Sequence, residues 1–312
     1  MQEFISNKSI LSVTGLRKNF GAALAIRGIS FHVNHGEMFG MVGPDGAGKT
    51  TTLKAICGLL TPDEGEIQLF GERVIRSGKS TQRRIGYLSQ RFSLYGDLSV
   101  DENLDFFAKI HGRSDYQKDR SALLEMTRLT DFTTRPAEKL SGGMKQKLAL
   151  ACSLIHKPDI LILDEPTTGV DPVSRRDFWK ILSQLRQDGL TIIMSTPYLD
   201  EAERCDRVAL FSQGIILNLD DPIKMKENCG FSVFEISTPA IREVDSLIRR
   251  KFSLAPQLYG DRLHIITDTG SAIPEQIVNL LSENSMPVLS HGYITPSLEN
   301  IFIRATGEDN AK

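Results

Sequence analysis

Eight residues, Gly43-Pro44-Asp45-Gly46-Ala47-Gly48-Lys49-Thr50, constrain this chain more than any other stretch. They fit the pattern GxxxxGK[ST], and their flanks fit the geometry that pattern serves. Met38-Phe39-Gly40-Met41-Val42 ahead of them is a short apolar run, readable as a buried strand. Behind them Leu53, Ile56, Cys57 and Leu60 fall on one helical face, which predicts a helix over Lys49–Leu60. A strand that passes through a glycine-rich loop into a helix N-terminus aims backbone N–H groups at one point, where the helix dipole adds partial positive charge. Phosphate oxygens suit such a point. On this reading residues 43–51, with Thr51 closing the run, cradle a nucleotide. Lys49 reaches the terminal phosphates, and the Thr50 hydroxyl holds Mg²⁺.

At 312 residues the chain has room for one large domain or two. Lys plus Arg is 37 against 39 Asp plus Glu, a net charge of −2, so no basic excess points to nucleic acid as a partner. Cys57, Cys152, Cys205 and Cys229 lie far apart with no C-x-x-C pair, which predicts reduced, buried thiols of a cytoplasmic protein. Residues 1–8 lack the apolar core of a signal peptide, and no apolar window is long enough to span a bilayer. A membrane role therefore needs a separate partner chain.

Ahead of the loop, residues 10–20 and 24–33 read as strands, with Phe20 at the end of the first. Its ring suits either stacking on a nucleotide base or packing in the core. Glu66–Gly71 and Ile85–Gln90 read as further strands, and the helices predicted over 99–111 and 116–129 begin a helical insertion at about 91–157. Ser99 with Glu102 forms a capping box at the first of these helices. Leu140-Ser141-Gly142-Gly143-Met144-Lys145-Gln146 opens a helix through Ile155, either as a second anion site or as an ordinary capped N-terminus. Ile160-Leu161-Ile162-Leu163 suits a parallel strand buried on both faces, and Asp164 and Glu165 stand at its C-terminal tip, where an open α/β sheet binds ligands. Asp164 fits the metal-holding role and Glu165 the polarisation of an attacking water.

A helix over 174–188 and strands over 191–196 and 207–211 continue the βα alternation up to a boundary at Asp220-Asp221-Pro222. The first domain is thus 1–221 and a second covers 222–312. The second reads as strand, helix, two strands paired across Gly260-Asp261, helix and strand, which is a ferredoxin-like order, and a last helix begins with Pro296 at its first position. It shows no catalytic pattern, which leaves interaction or plain scaffold as its role.

Together these pieces resemble the ATP-binding subunits of ABC transporters, over residues 10 to about 220. Residues 43–50 match Walker A, Gln90 the Q-loop glutamine, 140–146 the signature, 160–165 Walker B with its catalytic glutamate, and Gly169-Val170-Asp171 the D-loop. The resemblance implies a P-loop NTPase of the ABC-ATPase type, with a β-rich start, a mainly parallel central sheet, the helical insertion and a smaller α+β second domain. It implies ATP and Mg²⁺ as ligands, with the metal near Thr50, Gln90 and Asp164, and Glu165 and Gln90 in the catalytic site. Phe20 falls at the adenine-stacking position. In the family two cassettes meet head to tail, so Ser141, Gly142 and Gly143 would serve the partner's nucleotide.

The branch most similar is that of bacterial drug and polysaccharide exporters with a C-terminal segment like Pro296-Ser297-Leu298-Glu299-Asn300-Ile301-Phe302. That implies separate membrane permease subunits and a peripheral place on the cytoplasmic face. One position departs: where the family has its switch histidine, after Ser195-Thr196, this chain has Pro197, read as the first residue of a helix capped by Thr196. An ATPase subunit driving export is therefore accompanied by a second expectation, a regulatory half with weak hydrolysis paired with a competent cassette. A soluble ABC protein of DNA or ribosomes fits less well, since no second cassette, coiled coil or basic linker is visible.

Overall fold

A computed structural model describes residues 9–74, 79–90 and 94–309. The N-terminal octapeptide, and residues 91–93 where the helical insertion is expected to begin, lie outside them. The chain divides into two compact units on either side of the Asp220–Asp221 bond.

The first unit opens with β1 (Ser9–Phe20) and β2 (Ala23–Asn34), antiparallel across a turn at Gly21-Ala22. Next come β3 (Met38–Val42), every residue of which is buried, and α1 (Lys49–Ile56). The helix stops short of the expected Leu60. Gly58 takes a left-handed φ of 67°, and the turn it makes ends the apolar face at Cys57. β4 (Glu64–Leu69) and β5 (Glu72–Arg73) complete an antiparallel sheet of order β2-β1-β4-β5. After α2 (Lys79–Gln82) and β6 (Ile85–Leu88) the chain leaves for the helices α3 (Val100–Ile110), α4 (Gln117–Thr127) and α5 (Gly142–Leu154). These bury Val100, Leu104, Leu124, Leu148 and Cys152 in a core of their own. The Ser99–Glu102 capping box is present with both of its bonds.

The chain returns through β7 (Ile160–Asp164), α6 (Pro172–Gln187), β8 (Thr191–Thr196), α7 (Leu199–Ala202) and β9 (Arg207–Ser212). β10 (Ile215–Asp220) closes the unit. The central sheet has the order β10-β9-β3-β8-β7-β6, parallel except for β10. Burial on both faces is why β3 and β7 are apolar at almost every position, and why β8 carries Ile192-Ile193-Met194 at its centre. β10 is absent from the sequence reading; it pairs with β9 across Gln213-Gly214, whose φ values of 47° and 83° suit a tight hairpin turn.

In the second unit Asp221 caps α8 (Pro222–Glu227), accepting from the N–H groups of Ile223 and Lys224. Then follow β11 (Phe231–Ser237), α9 (Ile241–Phe252), β12 (Gln257–Tyr259), β13 (Arg262–Asp268), α10 (Ile273–Glu283), β14 (Ser290–Ile294) and α11 (Leu298–Asp309). The sheet order β12-β13-β11-β14, antiparallel throughout, is that of the expected ferredoxin-like element order. Pro296 lies outside α11 and not at its first position. Ser297 is the cap: its hydroxyl accepts from Asn300 N–H at 3.1 Å, while its own N–H donates to Asn300 Oδ1 at 2.9 Å. The cysteines form no disulfide, and Cys229 is only half-buried where full burial was expected.

Candidate nucleotide site

The loop between β3 and α1 is packed so tightly that side chains have no room at two of its glycines. A Cβ on Gly43 would lie 2.1 Å from the Phe211 carbonyl oxygen, and one on Gly48 would lie 2.6 Å from that of Ala25. Gly48 is also the N-cap of α1, with a left-handed φ of 100° that glycine tolerates without strain. The loop is thereby wedged between β9 and β2, with its N–H groups gathered at the helix start. Lys49, 3% exposed, folds back over it and donates to the carbonyls of Gly43 at 2.7 Å and Pro44 at 3.0 Å.

The parallel register brings the tips of β7 and β8 alongside. Asp164 Oδ1 accepts from the Thr50 hydroxyl at 2.9 Å and from the Ser195 hydroxyl at 2.6 Å. Glu165 turns out of the strand with a left-handed φ of 50°, held there by its N–H donating to Ser195 Oγ at 3.0 Å and Ser195 O at 3.1 Å. Its carboxylate takes a hydrogen bond from Gln90 Nε2 at 3.0 Å and lies 3.5 Å from the Lys49 ammonium. Lys49, Thr50, Gln90, Asp164 and Glu165 thus form one connected cluster. The donor set fits a nucleotide with Mg²⁺: a crowded loop of N–H groups and an ammonium suit phosphates, and a hydroxyl beside a carboxylate supplies the hard oxygens that ion prefers. Nearby, burial and then the Asp164 charge push the Cys57 thiol well above its ordinary range, so it stays protonated.

Phe20 is 53% exposed at the end of β1, which removes the core alternative for its ring. Lys18 Nζ lies 5.7 Å from the ring centroid. Ser141 caps α5 by accepting from Met144 N–H at 3.3 Å, with Ser141 and Gly142 exposed. Gly143 is buried against α6, where a Cβ would fall 2.2 Å from Ser174 Oγ. Among the described residues no hydrogen bond joins these three to the cluster around Lys49.

Pro197 is not at a helix N1 position. α7 begins at Leu199 with Tyr198 as its cap, so Pro197 sits in the connection from β8. The Thr196 hydroxyl does accept a backbone N–H, that of Tyr198 at 3.1 Å, but it forms a turn ahead of the helix. The sequence reading gave Thr196 only a capping role and gave none to Ser195 or Glu201. Ser195 and Thr196 end a parallel strand beside Asp164, and that placement at the C-terminal tip is the signal that would have found them. Glu201 carried none.

A strand, a glycine-rich loop and a helix, with two acids at the tip of the parallel strand beyond β8, define a P-loop nucleotide-binding protein. The sequence model described as ABC transporter matches residues 26–168. The chain is 41% identical over 221 residues to the Escherichia coli protein named "Probable multidrug ABC transporter ATP-binding protein YbhF", covering 70% of this chain and 38% of that one. It is 34% identical over 312 residues to the "Nod factor export ATP-binding protein I" of Ralstonia nicotianae, covering 98% and 96%. A solved structure titled as the dimeric post-hydrolysis state of the ATP-binding cassette MJ0796 with ADP and Pi superposes with a TM-score of 0.62. It is 25% identical and covers 68% of this chain and 98% of that one. The chain belongs to the ATP-binding proteins of ABC transporters. It spans little more than a third of the Escherichia coli relative's length, and nearly all of the Ralstonia relative's. Hydrolysis of ATP is the activity this family implies.

Proposed function

We propose that this chain is the ATP-hydrolysing subunit that energises a membrane exporter of drugs or other small molecules. The observation that carries it is the division of labour between two adjacent acids. Asp164 is bound to the Thr50 hydroxyl, whereas Glu165 turns away toward Gln90 and Lys49. The loop N–H groups and Lys49 bind and orient the phosphates, and the exposed Phe20 ring offers a stacking face for adenine. Thr50, Asp164 and Gln90 would hold Mg²⁺, which when bound neutralises phosphate charge and polarises the terminal phosphoryl group. Glu165 orients and polarises the water that attacks that group, while Gln90 fixes the carboxylate.

Two such chains, or this one and a second cassette, would enclose each nucleotide between the loop of one and Ser141, Gly142 and Gly143 of the other. Separate permease subunits would hold the pair at the cytoplasmic face, since no described helix is long and apolar enough to cross a membrane. The relatives' names, in multidrug and Nod factor export, support an exporter role. Pro197 supplies no imidazole and no N–H, so turnover is slow. The same residue favours a second reading, a regulatory half that depends on a competent cassette. The test is purification of the full chain from membranes, with identification of the co-purifying chains and measurement of Mg-ATP turnover. A membrane-spanning partner with ATP turnover supports export; turnover only beside a second cassette supports the regulatory half; no membrane-spanning partner overturns both.

A further inference from the structure

Behind the tip of β8 lies a carboxylate to which the sequence reading assigns no role. Glu201, in α7, is 1% exposed and accepts from four side chains of three other segments. Its Oε1 takes the Thr167 hydroxyl at 2.6 Å, Arg175 Nε at 2.6 Å and Trp179 Nε1 at 3.1 Å. Its Oε2 takes the Thr196 hydroxyl at 2.6 Å. An ionised carboxylate offers about four lone-pair positions, and four donors converge on this one, three of them on Oε1.

The four donors come from places that matter to the cluster around Lys49. Thr167 is two residues beyond Glu165. Thr196 ends β8 next to Ser195, which holds both Asp164 and the Glu165 N–H, and the Thr196 carbonyl accepts from Gly43 N–H at 3.4 Å. Arg175 and Trp179 lie on α6, whose first turn presses Ser174 against Gly143 at the head of α5. Arg175 also pairs with Asp200 at 2.9 Å and lies 4.6 Å over the Tyr198 ring, clasping the turn that contains Pro197.

Resting on the reading of this site as an ATPase, we propose that Glu201 is a positioning residue for hydrolysis: one buried carboxylate fixes the Thr196–Pro197 turn and the segment after Glu165 to α6. Where the family places a side chain that reaches the nucleotide, this chain has a proline held in place from behind. Glu201 is buried and acts through Thr196, Thr167 and Arg175. The link to Ser174 and Gly143 also ties the same hub to the residues that would face the partner's nucleotide.

Glu201→Gln keeps the shape but replaces an acceptor by an amide donor among four donors, so at least one contact is lost. Turnover and Mg-ATP affinity are measured on the full chain, with active sites counted by nucleotide binding. The expected result is a fall in kcat of about tenfold to a hundredfold, with affinity held to within about threefold, because misplacement of reacting groups penalises the chemical step and not the phosphate grip. Thr196→Val removes a single donor and lowers kcat by about threefold or more; if Glu201→Gln fails to fold, this variant and Thr167→Val decide. A double Glu201→Gln, Thr196→Val chain turns over no more slowly than Glu201→Gln alone. A group that only holds the fold would lower the melting temperature and the number of active sites without changing kcat per site. That result, or affinity falling in step with kcat, overturns the proposal while leaving the ATPase reading intact. Absence of turnover in the wild-type chain removes both.

Discussion

The ammonium of Lys49 lies 3.5 Å from the Glu165 carboxylate, and neither side chain has appreciable contact with solvent. The lysine at the start of α1 and the acid after β7 therefore form one electrostatic unit before any nucleotide is considered. Lys49→Ala removes the charge-assisted contacts to the terminal phosphates and leaves Glu165 without its cation. Two such contacts at roughly 1.5–3 kcal/mol each predict a loss of ATP affinity of about a hundredfold or more. A direct binding titration reads it, and affinity kept within a few-fold would count against the nucleotide site as a whole.

Phe20 offers an exposed ring with no core to support, so its removal acts on binding and not on folding. Base stacking on an aromatic side chain is worth about 1–3 kcal/mol, and Phe20→Ala is expected to weaken ATP binding about tenfold, with kcat and melting temperature unchanged. Phe20→Trp restores affinity and adds a fluorescence signal quenched by the nucleotide. Unchanged affinity in Phe20→Ala would show that the base lies elsewhere.

His156 is buried at the end of α5, stacked on His111 at 3.9 Å between ring centroids, and one of its ring nitrogens, Nε2, is 3.1 Å from the Ile85 carbonyl. Its pKa is pushed from 6.5 down to about 4, first by burial, then by the charge of His111, with Arg113 adding and the Ile85 bond opposing. The unfolded chain therefore takes up this proton before the folded one does. Stability from this group is complete above the unfolded value and is lost as pH falls toward the folded one, about 2 kcal/mol between pH of about 7 and 5. The melting temperature of His156→Gln, which cannot titrate, should fall less over that interval than the wild type's. Parallel curves would contradict the assignment.

The motif residues all belong to the first unit. A chain ending at Asp221 is expected to bind Mg-ATP within about threefold of the full protein, since the loop and helix N–H groups that grip phosphate are intact. A folded truncation without nucleotide affinity would mean that the second unit completes the site.

What the sequence made legible is what local chemistry enforces. The loop at 43–50 is visible because only particular residues wrap a phosphate, and β3 and β7 because burial on both faces demands unbroken apolar runs. β10 escaped because its residues are half-exposed and its pairing is carried by the backbone; the Gln213-Gly214 turn was its only local sign. The end of α1 was overrun because Leu60 continues the helical spacing that Gly58 interrupts. Pro197 and Pro296 were both placed inside helices that begin two residues later, where Tyr198 holds the cap position without a side-chain bond and the Ser297 hydroxyl does the capping. Glu201 was invisible for a different reason: its four donors lie up to 34 residues away in sequence and meet only in the fold.

Pro197→His tests the price of the missing imidazole. Loss of a positioning group commonly lowers turnover by about a hundredfold, so the substitution should raise kcat with little change in nucleotide affinity. If turnover stays the same, the role is filled by groups already present, and the Glu201-held turn is the place to look.

The central claim is that Glu165 polarises the attacking water, and the rate of ATP hydrolysis by purified Glu165→Gln beside the wild type tests it most directly. Glutamine keeps a hydrogen-bonding group toward Gln90 but is a far weaker base. The account predicts a slow but measurable wild-type rate, no turnover in Glu165→Gln, and an ATP-bound dimer of the variant that elutes earlier in size-exclusion chromatography. Wild-type turnover that survives in Glu165→Gln within a few-fold would contradict it.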